Sequence, residues 1–311
     1  MRKLLIFAVV LLSSALLFAG NPEFKVKNVK GDAQIKKSGK WEKLSSGTSL
    51  SISDQIKLAK GSTVSLDHSS GKSINVDKSG FYSVAKLAAK AKTNKTNVSS
   101  KLASSLLDEL SDSDDLLASG NVNDNMATLG AVERAFNNKF SGSSILASLP
   151  RSSYSVDNKV NFTWNPLEGA KSYTFEIKNG IDEVIYSKVT TATELSVNLD
   201  EAKVPFDECY YWMVSSDDKS SEEFCIFRMN AEQASKIKTE IENLKGELDL
   251  TNSLDNMILA KFFADNKIVT EATQYFEKAI ELDSEVAAYK VMYAKYLLSI
   301  GLNDDAMAVV K

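Results

Sequence analysis

The sequence predicts a multidomain chain: an all-β unit over 24–88, a helical connector over 89–147, an all-β sandwich over 148–229 and a C-terminal α-helical unit over 231–311. Three observations carry that expectation. From Phe24 to Leu87, apolar and polar residues alternate in short runs punctuated by glycine turns. Between Val160 and Ile226 the alternation returns with aromatic residues at its centre. From Asn230 onward there is no proline, and apolar residues recur at helical spacing. A length of 311 residues suits two or three domains, and 43% hydrophobic with 25% charged residues is an ordinary globular balance.

Met1–Gly20 precedes these units. Arg2-Lys3 gives a basic head, Leu4 to Phe18 is largely apolar, and Ala19-Gly20 ends the stretch on small residues. That arrangement reads as an export signal, shorter than the roughly 20 residues a membrane span needs. Leu17 and Phe18 are bulky for a cleavage site, so cleaved signal and uncleaved anchor are both carried forward. No cysteine follows, which argues against a lipoprotein route. The expected location is the periplasm or cell surface.

In the first unit the expected strands carry Val26; Ala33 and Ile35; Trp41; Leu50, Ile52 and Ile56; Val64 and Leu66; Ile74 and Val76; and Tyr82 and Val84. Glycine turns separate them, the pattern of a small sandwich or rolled sheet. The order Gly31, Trp41-x-x-Leu44-x-x-Gly47-x-x-Leu50, Asp54-x-Ile56, Gly61-Ser62-x-Val64-x-Leu66, Gly71-x-x-Ile74 resembles a FecR-like domain. The resemblance implies an all-β envelope domain. Its signalling role is not implied, because no anti-sigma segment precedes the apolar stretch.

The connector shows Val98, Leu102, Leu106 and Leu110 every fourth residue, widened by Ala103 and Leu107, one face of a helix. An acidic break is expected from Ser111 to Asp115, and a second short helix over Met126–Phe136. Asp112-x-Asp114 and Asn121, Asn123, Asn125 suggest calcium, but Leu117 and Met126 stand where an EF-hand loop needs glycine. No metal is expected.

The sandwich is read from Val160, Phe162 and Trp164; Tyr173, Phe175 and Ile177; Val184 and Tyr186; Leu195, Val197 and Leu199; Tyr210, Trp212 and Val214; and Phe224 and Ile226, with an edge strand near Ser152–Val156. About seven such strands suit an immunoglobulin-like sandwich. Phe162-x-Trp164, Gly169-Ala170-x-x-Tyr173-x-Phe175-x-Ile177 and Tyr210-x-Trp212-x-Val214 resemble a fibronectin type III domain. Cys209 and Cys225 are the only cysteines. A turn centred on Asp217 sets them opposite each other on the face away from Trp212, which predicts a disulfide worth about 3 kcal/mol. A reduced pair is the other reading. Tyr211, on that same face, is the exposed-aromatic candidate.

In the last unit Ile237, Ile241 and Leu244 mark a helix. Leu259-Ala260-x-x-Phe263 followed by Ala272-x-x-x-Phe276-x-x-Ala279 resembles a tetratricopeptide repeat, with Asn256 and Ser284 in place of its usual tryptophan and proline. A second copy carries Tyr293-Ala294-x-x-Leu297 and Ala306, 34 residues after Ala272. Two repeats leave an open apolar edge, to be covered by the helix ending near Leu248 or by a partner. Phe263 and Tyr293 are the candidate partner-binding residues there.

Reactive constellations are sparse. His68 is the only histidine and is expected exposed at its turn beside Ser69-Ser70-Gly71. Zinc lacks ligands, phosphate lacks a glycine cradle, and Asp217-Asp218 and Glu222-Glu223 are adjacent rather than convergent. The formal net charge of −4 argues against a nucleic-acid partner. The expectation is therefore a non-enzymatic exported adaptor without cofactor that holds an envelope protein. A protein that binds glycan or peptidoglycan is the alternative, and a hydrolase the residual one. Membrane contact is expected only through the signal segment.

Overall fold

The computed structural model describes residues 22–37, 39–92, 98–118 and 145–310. The export segment Met1–Gly20 and the second short helix over Met126–Phe136 lie outside these residues. Among the described residues the chain is mixed α/β, with several largely antiparallel sheets, seven helices and two hydrophobic cores.

The first unit holds two four-stranded antiparallel sheets. One joins β4 (Ser49–Leu50), β1 (Phe24–Lys30), β6 (Thr63–His68) and β7 (Ser73–Val76) in that order. The other joins β3 (Lys40–Lys43), β2 (Ala33–Lys37), β5 (Gln55–Leu58) and β8 (Gly80–Ser83). Alternation sends Phe24, Val26, Val64 and Leu66 inward from one sheet and Ala33, Ile35, Ile56 and Leu58 from the other. The single strand expected across Leu50, Ile52 and Ile56 is instead two strands in different sheets, because Ser51 to Asp54 form a turn closed by the Asp54 carboxylate on Ser51 N–H (2.8 Å). Gly31 turns the chain at φ +87°, where a Cβ would lie 2.5 Å from Ser62 Oγ, the acceptor of Asp32 N–H.

Val84, expected to end a strand, starts helix α1 (Val84–Lys92), whose alanine-rich sequence favours helix over sheet. Helix α2 (Val98–Ala118) follows. The expected acidic break at Ser111 is absent from α2. Serine and aspartate are weak helix formers, and without glycine or proline they do not stop it.

Five helices close the chain: α3 (Ala231–Glu247), α4 (Ser253–Asp265), α5 (Val269–Leu282), α6 (Ala287–Ser299) and α7 (Asn303–Val310). α3 is mostly solvated and buries Leu244 alone. α4 is its opposite, buried on nearly every side from Ser253 through Phe263. The reason is that α4 has neighbours all round: α5 on one side, α1 and α2 on another. One continuous core therefore runs from Phe24 and Leu66 through Leu106 and Leu110 to Leu259, Phe276 and Leu297. The open edge expected on the repeats is covered in part by the chain's own α2, which packs on both α4 and α6.

The second core is the sandwich. β14 (Glu194–Asn198), β11 (Lys159–Trp164) and β9 (Ala147–Leu149) form one sheet. β10 (Ser153–Ser155), β17 (Phe224–Arg228), β15 (Cys209–Ser216), β12 (Tyr173–Lys178) and β13 (Val184–Thr190) form the other, and β16 (Lys219–Ser220) pairs with β15. β10 lies parallel to β17, whereas the remaining pairs are antiparallel. Phe162, Phe175 and Trp212 meet in the middle, with ring centroids 4.8 Å to 5.9 Å apart. The indole N–H of Trp212 donates to Pro150 O at 2.9 Å, so this fully buried ring is satisfied as well as packed.

Candidate functional site

Helices α5, α6 and α7 leave a groove between them. Ile280, Leu297, Leu302 and Val309 make its floor, and Ser148 and Leu149 from β9 close one end. Its volume is about 610 Å³. Glu277, Glu281 and Asp305 stand on the rim, and among the described residues no lysine or arginine lines it. Asp305 is pushed above the usual carboxylate range by burial, with Asp304 adding to the effect and Arg151 opposing it. An apolar floor under an acidic rim suits a segment that carries both apolar and cationic side chains.

The aromatics expected to dock a partner fall differently. Phe263 is buried, stacked on Tyr275 at 5.4 Å and edge-on to Phe262. It fills the space between α4 and α5 and presents no surface, a correction that follows from α4 having packed neighbours all round. Tyr293 is also buried, stacked on Phe276 at 5.3 Å, but its hydroxyl reaches the groove wall and donates to Glu277 Oε1 at 2.8 Å. Burial, then Glu277, pushes its phenol well up, so it stays a donor. Tyr211 is 37% exposed on the sandwich, distant in sequence and sheet from this groove. The structure thus brings Tyr293 to the groove and leaves Phe263 and Tyr211 out of it. The acids that shape the rim went unremarked in the sequence because helical surfaces are ordinarily charged.

Cys209 and Cys225 are joined in a disulfide, with Cα atoms 5.6 Å apart. The register differs from expectation: Cys209 pairs with Phe227 and Tyr211 with Cys225, so the bonded residues are diagonal rather than opposed. A tight turn at Asp217–Asp218 pairs Ser216 with Lys219, and Ser221 to Glu223 then absorb one extra residue before β17. Both sulfurs do lie on the face away from Trp212. A disulfide fits an oxidising, exported environment.

His68 is a further correction. It is buried, because Val64 and Leu66 point inward along β6 and His68 continues their alternation. Ser70 N–H donates to Nδ1 at 3.0 Å, which leaves the ring proton on Nε2 to donate to Glu23 Oε1 at 2.8 Å. Ser70 Oγ also lies 2.7 Å from Nδ1. The order serine–histidine–carboxylate is that of a hydrolase triad. Here, however, the nitrogen facing the hydroxyl is already capped by the serine's own backbone, and the three residues lie outside the groove. The three residues also belong to a structural network. Glu23 Oε2 accepts from Asn252 Nδ2 at 2.6 Å, while Asn252 Oδ1 caps α4 by accepting Asp255 N–H at 3.1 Å. Lys92, at the end of α1, pairs with Asp255. This buried network ties the first β unit to the N-terminus of α4. Among the described residues no group of histidine, cysteine and carboxylate side chains is arranged to hold a metal ion, and no helix is long and apolar enough to cross a membrane.

No protein-family model matches the chain, and no curated protein matches it. Among solved structures, it is similar to the crystal structure of a β-1,2-glucanase from Parabacteroides distasonis, at 10% identity and a TM-score of 0.22. The match covers 54% of this chain and 34% of that one. A likeness that slight carries no argument about fold or activity.

Proposed function

We propose that the protein is a non-enzymatic exported adaptor, periplasmic or on the cell surface, that holds an envelope protein through the groove on α5, α6 and α7. The acidic rim over an apolar floor carries the reading. The occupant it suits is an amphipathic, lysine- or arginine-bearing segment of the partner. Finer features support the modular reading. The paired four-stranded sheets suit a FecR-like domain. The three-strand and six-strand layers, with a parallel pair at one edge, suit a fibronectin type III-like or immunoglobulin-like sandwich. Ala260, Ala272, Ala279, Ala294 and Ala306 are buried at the small-residue offsets of tetratricopeptide-like helices. The disulfide supports export.

The test uses the full chain, because removing the helices would uncover α1, α2 and the first β unit together. Partners crosslinked in native envelopes are compared between wild type and a double variant, Glu281→Lys with Val309→Glu. Both positions line the groove, and neither side chain is fully buried. The expected outcome is loss of a specific crosslinked partner at unchanged thermal stability. Identical crosslinks in the variant reject the groove.

A further inference from the structure

The outer face of the β3-β2-β5-β8 sheet is basic and aromatic. Register puts Trp41, Lys36, Gln55 and Ser83 in one row across the four strands, and Lys43, Gln34, Lys57 and Phe81 in the next. The opposite face carries Ile35 and Ile56 into the core, so these eight side chains point outward. Three are lysine, two are aromatic, two are amide, and none is a carboxylate. The chain as a whole has a formal net charge of −4, so this is a local reversal of sign.

The aromatics come from the two outermost strands yet meet over the sheet, with ring centroids 5.8 Å apart in an edge contact. They stay in water: Phe81 is 68% exposed and Trp41 37%. A lone exposed aromatic needs no explanation, but a contacting pair held in place is a ledge. Lys57 Nζ lies 5.1 Å from the Phe81 ring centre and Lys36 Nζ 5.9 Å from that of Trp41. These contacts fix the ammonium groups beside the rings. Among the described residues no carboxylate lies within ion-pair distance of Lys36, Lys43 or Lys57. The arrangement is a flat surface with an apolar ledge, fixed cations beside it and amide hydrogen-bonding groups between.

We propose that this face binds an acidic polysaccharide, with the C–H faces of sugar rings against Trp41 and Phe81 and the polymer's carboxylates on Lys36, Lys43 and Lys57. Gln34 and Gln55 supply partners for the hydroxyls. A nucleic acid offers the same charge and flat rings, but the disulfide points to an oxidising compartment, where acidic glycans are the polyanions at hand. The site is separate from the α5–α7 groove and stands without it.

Affinity electrophoresis of the full chain through gels containing polygalacturonate reads the site. Wild type is expected to be retarded, with neutral dextran having no effect and about 0.5 M salt removing the retardation. Lys36→Gln with Lys57→Gln, and separately Trp41→Ser with Phe81→Ser, are each expected to weaken retention about tenfold or more. Tyr211→Ala, which alters an exposed aromatic elsewhere, is expected to leave it unchanged. The lysine pair removes charge from the surface without touching the core, so it reports binding even if the aromatic pair folds poorly. Absence of retardation in wild type overturns the proposal, and so does retention that both double variants keep. Tighter binding of DNA or of phosphatidylglycerol vesicles through the same residues would reassign the face to that partner and equally overturn it.

Discussion

Glu23 titrates against several partners at once. A glutamate carboxyl ordinarily titrates near 4.5. Burial pushes Glu23 up, but the hydrogen bond from His68, the charge of Lys92 and the Asn252 amide outweigh burial and hold it below that value. A carboxyl depressed in the folded state stabilises fully above its unfolded value and loses that contribution as pH falls through the folded one. Wild type should therefore lose stability from about pH 4.5 downward. Glu23→Gln should lack that part of the slope and be less stable at pH 7 by about 2 kcal/mol. Asp283 acts in the opposite sense. Burial pushes its carboxyl up and Glu23's charge adds to that, with Ser253 opposing, so its penalty is relieved as pH falls. Urea unfolding of both proteins at a series of pH values is the measurement, and parallel pH profiles would show that Glu23 is not the titrating group. His68 was expected exposed at its turn, although it continues the inward parity of Val64 and Leu66. Its partner was not legible, because Glu23 lies 45 residues away and Asn252 another 229 beyond Glu23, and no local period links them.

Helix α2 shows what periodicity reveals about an element and what it conceals. The stripe Ala103, Leu106, Leu110 was readable at once, and all three side chains are buried. What the stripe covers was not readable, since an apolar face announces that it has a partner without naming it. The structure supplies α4 and α6. Lys261 of α4 reaches Glu109 at 2.8 Å, adding a charged tie at the edge of the same contact. Leu106→Ala should leave a cavity at a site closed on all sides and cost about 3 kcal/mol, near the middle of the range for such truncations. Lys261→Gln breaks an ion pair whose Glu109 partner is exposed and should cost under about 1 kcal/mol. Chemical denaturation at neutral pH measures both. A Leu106→Ala cost as small as that of Lys261→Gln would mean that α2 lies on the surface of the helical layer and does not form part of its core.

At the scale of the molecule, strand alternation and helical stripes gave the order of units, but the assembly joins the first and last of them in one core and leaves the sandwich with its own. The contacts between these bodies combine apolar packing of Leu149 and Val156 on the helical core with a set of polar ties. Arg151 accounts for one: Nε and Nη2 donate to Ala147 O inside the sandwich, and Nη1 donates to Gly301 O at 2.7 Å at the turn between α6 and α7. Ser153 and Tyr154 of β10 make others with the α4–α5 turn, through Tyr154 N–H on Lys267 O at 2.9 Å and Val269 N–H on Ser153 Oγ at 3.1 Å, and Lys238 of α3 pairs with Asp157 at 2.7 Å. Hydrogen bonds exchanged against water contribute roughly 1 kcal/mol each, which couples two bodies without fusing them. Calorimetry should accordingly resolve two transitions. Cys209→Ser with Cys225→Ser relaxes a loop closed within the sandwich and should lower only one of them, by about 3 kcal/mol. Leu106→Ala should lower only the other. Arg151→Ala should bring the two no closer and should reduce their mutual stabilisation by no more than a few kcal/mol. If the cysteine and leucine variants shift the same transition, the two cores unfold as one, and the polar seam carries far more coupling than its hydrogen bonds account for.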